Sequence, residues 1–254
     1  MTRWLSWLWL LALVAVPPSS RPAHAEVPVA CAASEAFTTP EESLGHVAAA
    51  IVAGGPVNIL AVGSATTVGD QLGTDRNTAF PFRMVEAMHA ALPKVSFALT
   101  LRGGRGMTAE DMLPLLEAAL TGPQHYHLVL WQTGTVEAVR GERPDGMVVA
   151  LQEGVDRARD AGADVVLVDP QFSRFLRANA DLDPYEAALQ QVSALPGVVL
   201  FRRFDVMRSW AEDGAIDLER VGRGDRARTM AMLNTCLGDT LARFVLNGTG
   251  VAAN

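Results

Sequence analysis

Apolar residues along the chain fall into two kinds of stretch. Short, nearly unbroken apolar runs at 57–62, 95–101, 128–131, 164–168 and 198–201 are rich in Val, Ile, Leu and Phe and predict strands buried on both faces. Between them the apolar positions recur every third or fourth residue. Helices are therefore predicted over 41–53, 80–92, 108–120, 147–161 and 184–194, with a short one carrying Met207 and Trp210 and a long one over 226–246. Gly54-Gly55-Pro56 stops the first helix, Pro93 the second and Gly162 the fourth, while Thr108 with Asp111 three residues on is close to a capping box. Residues 248–254 are expected to fray.

Five buried strands alternating with helices of ten to fifteen residues predict an α/β fold, a three-layer sandwich around a parallel sheet. Right-handed crossovers leave few topologies. The flavodoxin-like order 2-1-3-4-5 is expected, because it brings the loops after strands one and three together at a switch point, where α/β proteins keep their sites.

The first 25 residues stand apart from this pattern. Arg3, the apolar run 4–16 and Ala23-His24-Ala25 read as a cleavable secretory signal, too short to span a bilayer, so 26–254 is expected to form a single periplasmic or secreted domain with no membrane span. Pro28-Val29-Ala30-Cys31 is a poor lipobox and argues against a lipid anchor there. Without the signal, 19 Lys and Arg face 28 Asp and Glu, a formal charge of −9 that argues against nucleic acid as a partner. In an oxidising compartment the two cysteines, Cys31 and Cys236, are expected to pair, two unrelated buried thiols being the alternative.

Chemistry enters at the end of strand one, where Val57-Asn58-Ile59-Leu60-Ala61-Val62 runs into Gly63-Ser64-Ala65-Thr66-Thr67-Val68-Gly69. This block resembles the first motif of the SGNH (GDSL) hydrolase superfamily, Gly-Asp-Ser-x-Thr-x-Gly. Gly63, Thr67 and Gly69 match, Ser64 stands where the aspartate would be, and Ala65 stands at the nucleophile position. The resemblance extends over most of the chain and implies an SGNH hydrolase fold. It places Gly106 at the backbone oxyanion donor, Val136 of Gly134-Thr135-Val136-Glu137 where the family has an oxyanion-binding asparagine, and Asp225 and Arg228 where it has Asp-x-x-His. The nucleophile, one oxyanion donor and the base of the family are thus absent from their positions. All five histidines, His24, His46, His89, His125 and His127, lie in the first half of the chain, whereas this fold brings its base from the segment after strand five.

The resulting expectation is an exported SGNH hydrolase-like protein whose catalytic machinery has degenerated and which binds a glycan or other small ligand at the former active-site mouth. Loss of a donor alone typically lowers such catalysis about 100- to 1000-fold, and loss of triad members far more. Arg102 and Arg105, with Gln132, Thr133, Gly134 and Glu137, are the candidate binding residues, since guanidinium forks and exposed backbone N–H groups hold anions. Two alternatives stay open: an esterase or acetyl transferase with a non-standard site around Ser64, Glu137 and Asp225, and a structural partner protein with an empty pocket. Trp131, Trp210, His125 and His127 read as packing or surface residues. Asp169 and Asp205 lack the companions a metal site needs, so neither metal nor cofactor is expected.

Overall fold

The computed structural model describes residues 31–69 and 78–251, so the signal reading of 1–25 lies outside the described residues. Five parallel strands, β1 (Val57–Gly63), β2 (Phe97–Gly103), β3 (Leu128–Gln132), β4 (Asp164–Val168) and β5 (Val198–Phe201), form one sheet in the order β2-β1-β3-β4-β5. The expected topology is the observed one. Alternate residues of each strand serve opposite layers, as the period of two requires. Ile59, Ala61, Leu128, Leu130, Val166, Val168 and Phe201 point into a core shared with α1 (Gly45–Ala53), α3 (Phe80–Ala91), α9 (Arg203–Glu212) and α10 (Arg226–Thr249). Leu60, Val62, Val129, Trp131, Val165 and Leu167 enter the opposite core with α4 (Ala109–Leu120), α6 (Pro144–Asp160) and α8 (Asp183–Ser193). Both faces are covered, which explains why the strands read as continuous apolar runs rather than alternating ones.

Three short helices escape the 3.6-residue periodicity because they complete barely one or two turns: α2 (Ala65–Val68), α5 (Thr135–Arg140) and α7 (Arg174–Asn179). Each follows a strand at its carboxyl end or the loop beyond it. The predicted cap of α4 forms in full, with Thr108 Oγ1 accepting from Asp111 N and the Asp111 carboxylate accepting from Thr108 N. The first helix begins four residues later than expected, since the Leu44 N–H donates to Gly248 O at 2.8 Å instead of opening a helical turn.

That contact belongs to a clasp between the two ends of the described chain. The Cys31–Cys236 disulfide forms, with Cα atoms 4.8 Å apart. Trp210 Nε1 donates to Ala32 O at 2.7 Å, and Asn247 Nδ2 to Thr38 O at 2.8 Å. Of the stretch expected to fray, 252–254 lies outside the described residues; before it α10 continues to Thr249, and a Cβ on Gly248 would come within 2.8 Å of Pro40 and 3.0 Å of Leu44. Close packing of the tail holds this last turn in place. Among the described residues no helix is long and apolar enough to cross a membrane.

Candidate functional site

The carboxyl ends of β1 and β2 meet closely because two glycines let their backbones approach. Gly103, at φ +115°, pairs with Gly63 in the β1–β2 register, and a Cβ there would lie 2.0 Å from Gly63 O. The Gly104 N–H closes this junction by donating to Gly63 O at 3.2 Å. No side chain fits between the strands at that point, so β1 is free to turn directly into Ser64 and α2.

Ser64 and Thr67 face the end of β3. The Gln132 side-chain oxygen accepts from the Ser64 hydroxyl at 2.9 Å, from the Thr67 hydroxyl at 3.1 Å and from the Ser64 N–H at 3.2 Å, and all three residues are buried. An amide oxygen is a good acceptor and a very poor base. The Ser64 proton is therefore directed at an atom that will not remove it, and a hydroxyl so placed is not activated for attack. Ala65 opens α2 and is half-buried; Thr66 follows it, also half-buried.

Beside this, Glu137 is buried and holds three donors: Thr133 Oγ1 at 2.6 Å, Ala109 N at 2.7 Å and Gly134 N at 3.0 Å. It ties the starts of α4 and α5 to the end of β3. Gly134, at φ +91° and with Pro170 3.1 Å from a Cβ placed on it, makes the turn between them. Val136 lies half-buried on the first turn of α5. Gly106, at φ +76°, accepts at its carbonyl from Arg140 Nη2 at 2.7 Å, so an α5 side chain anchors the loop after β2. Arg102 and Arg105 on that same side of the sheet are exposed, and Arg102 Nη1 donates to its neighbour Leu101 O at 2.9 Å.

Asp225 and Arg228 do not join these residues. They form an exposed ion pair with each other at 3.1 Å, at the start of α10. Trp131 is fully buried, lying so close to α6 that a Cβ on Gly154 would sit 2.2 Å from its ring, and Trp210 is buried too. His125 and His127 are at the amino end of the sheet, where His127 Nδ1 accepts from Asn58 N at 3.0 Å and His125 O from Asn58 Nδ2 at 2.7 Å. Asp205 pairs with Arg202 and Arg208. Among the described residues no group of three His, Cys, Asp or Glu could hold a metal ion.

Sequence reasoning passed over one residue of the rim. Arg203, which opens α9 two residues past β5, is only 3% exposed, yet Nη1 donates to Thr66 Oγ1 and Nη2 to Gln171 Oε1, each at 3.3 Å. Its guanidinium lies 5.2 Å from the centre of the Phe80 ring, and Nε is buried without a partner. Burial lowers its pKa to about 10, against the opposing pull of Asp169. Asp169, at the end of β4, is itself pushed well above the usual carboxylate range by burial, although Oδ1 accepts from Phe204 N at 2.8 Å. The signal was present in Arg202-Arg203 abutting an apolar strand. An arginine next to a buried strand end either turns outward, as Arg202 does towards Asp205, or goes under the rim, as Arg203 does.

These features, a β2-β1-β3-β4-β5 parallel sheet with the β1 loop turning into a short helix at its carboxyl edge, are those of the SGNH hydrolase fold. The chain belongs to the non-GDSL lipase-like family, whose model matches residues 30–251. Among solved structures it is similar to TesA, at 19% identity and a TM-score of 0.54 over 72% of this chain and 97% of that one. It is also similar to a variant of Axe2, an acetyl-xylooligosaccharide esterase from Geobacillus Stearmophilus, at 15% identity and a TM-score of 0.56 over 77% of this chain and 94% of that one. A two-domain esterase, CEX, active on acetylated mannans, aligns at 12% identity and a TM-score of 0.60 over 87% of this chain and 58% of that one. A search of curated proteins finds no match.

Proposed function

We propose that this protein is an exported, non-hydrolytic member of its family that holds a glycan or other small ligand at the carboxyl rim of the sheet. The observation that carries this reading is the fate of the hydroxyls beside Ala65. Ser64 and Thr67 donate to the Gln132 amide oxygen, while Thr66 accepts from Arg203. Neither an amide oxygen nor a guanidinium takes a proton from a hydroxyl at neutral pH. Glu137, a buried carboxylate on the same rim, spends its oxygens on Thr133, Ala109 and Gly134 rather than on Ser64, and Asp225 is occupied with Arg228 at the surface. A carbohydrate ligand is suggested by Axe2 and CEX, which act on acetylated sugars; this is analogy from fold. Export rests on the charged, then apolar, then Ala-x-Ala pattern of 1–25 and fits the disulfide.

The test is turnover of a short-chain aryl ester by the purified protein and by Ser64→Ala. Both are expected to match the buffer rate. Turnover well above buffer that disappears in Ser64→Ala would overturn the reading and make Ser64 a nucleophile. In parallel, neutral oligosaccharides, acetylated and not, are screened for a rise in melting temperature, the mark of a ligand that binds only the native state.

A further inference from the structure

Buried arginines in folded proteins are held by carboxylates, because an uncompensated charge away from water is costly. Arg203 departs from that rule. Among the described residues it forms no ion pair; its donors end on a hydroxyl and an amide at 3.3 Å, the long end of the hydrogen-bond range, and on the face of Phe80. Its Nε has no acceptor. The acid that attracts it, Asp169, turns Oδ1 to the Phe204 N–H and forms no ion pair with the guanidinium. The two side chains that accept from the guanidinium, Thr66 and Gln171, are themselves partly exposed, so solvent lies one side chain away.

We infer that Arg203 anchors an anion subsite on the β4–β5 side of the rim, where a carboxylate, sulfate or phosphate group of the ligand replaces Gln171 as the acceptor and is steadied by the Thr66 hydroxyl. The subsite is distinct from the exposed Arg102 and Arg105 on the β2 side. Three features favour it. A planar guanidinium fork matches the paired oxygens of such groups, its low-dielectric setting strengthens the attraction, and the stack on Phe80 holds the fork in place before the ligand arrives. Swinging the partly exposed Gln171 aside breaks one long hydrogen bond to a neutral acceptor and admits a paired contact with an anionic one. The inference deepens the proposed function by naming the chemical class of the ligand, an acidic sugar or another small anion.

Thermal unfolding of the full chain at constant ionic strength tests it, with sulfate, inorganic phosphate, glucuronate and, as a neutral control, glucose. The anions are expected to raise the melting temperature by about 5 °C, saturating with concentration, and glucose to leave it unchanged. Arg203→Met abolishes the saturable rise. Gln171→Glu supplies the countercharge from within, so it is expected to raise the melting temperature without added anion and to remove the response to it. An equal rise in native protein and Arg203→Met would mark a general salt effect and overturn the subsite, as would a flat response of the native protein. If Arg203→Met does not fold, a Gln171→Glu protein that is less stable than native and still responds to anions overturns it equally. The outcome is separable from the ester assay: turnover would sink the non-hydrolytic reading and leave the subsite standing, whereas silence towards anions would sink the subsite alone.

Discussion

Two buried acids stand at the carboxyl edge of the same sheet, and their surroundings could hardly differ more. Glu137, on the β3 side, has three donors between 2.6 and 3.0 Å and serves as a knot joining α4, α5 and β3. Asp169, on the β4 side, has one backbone donor and a guanidinium that is near enough to pull on it without pairing. A fully satisfied polar cluster rigidifies the fold, and a partly satisfied one is either a liability or a place reserved for something else. The β1–β3 half of the rim is closed by its own hydrogen bonds. The β4–β5 half holds a buried guanidinium that forms no ion pair among the described residues.

Substitutions that break the closed half should have the largest effects. Glu137→Ala leaves the Ala109 and Gly134 N–H groups and the Thr133 hydroxyl without an acceptor and is expected to destabilise by about 3–5 kcal/mol, close to 10 °C in melting temperature. A melt unchanged within 2 °C, on the order of 1 kcal/mol, would refute the knot. Gln132→Leu removes the shared acceptor of Ser64 and Thr67 while keeping the volume; a loss of about 2–3 kcal/mol in chemical denaturation is expected, with the m-value unchanged. A stable Gln132→Leu would mean that the two hydroxyls find water instead.

The smallest effect lies at the opposite pole of the sheet and depends on pH. Burial first, then the neighbouring His125 and His46, hold the His127 imidazole below its ordinary pKa of 6.5. Its Nδ1 accepts from Asn58 N, which only the neutral ring protonated at Nε2 can do; the imidazolium, with a proton on both nitrogens, cannot. Because the folded value lies below the unfolded one, His127 contributes stability in full above about pH 6.5 and loses it as the pH falls from there towards the folded pKa. Asp169 acts in the other direction: its raised pKa favours the folded state at low pH, and that contribution fades as the pH rises above the unfolded value. The difference between native protein and His127→Asn isolates the first effect, since the asparagine oxygen can take the place of Nδ1 as acceptor. The variant's melting temperature is expected to fall less than the native one between pH 7.5 and 5. Parallel profiles would remove His127 from the account.

Much of the architecture was written in the order of apolar runs. The strands at 164–168 and 198–201 and the capping box of α4 were legible because burial and cap chemistry are local properties. The short helices α2, α5 and α7 were not, being too brief to repeat an apolar face. The site was legible in part for the same reason. Gly63-Ser64-Ala65-Thr66-Thr67 marks the turn out of β1, but the partners of those residues, Gln132 and Arg203, lie 68 and 137 residues away from Ser64 and Thr66 respectively, and nothing in the spacing announces which way an arginine after a strand will point. Glu137 read as a possible ligand or base from its type; its three donors come from elements that only the fold assembles.

The bond between Cys31 and Cys236 spans 205 positions and so encloses all five strands and both halves of the rim within one covalent ring. A protease that nicks the backbone at any loop inside that ring leaves the pieces linked, and they part on a denaturing gel only after a thiol is added. A single cut within the ring therefore leaves the molecule in one covalent piece.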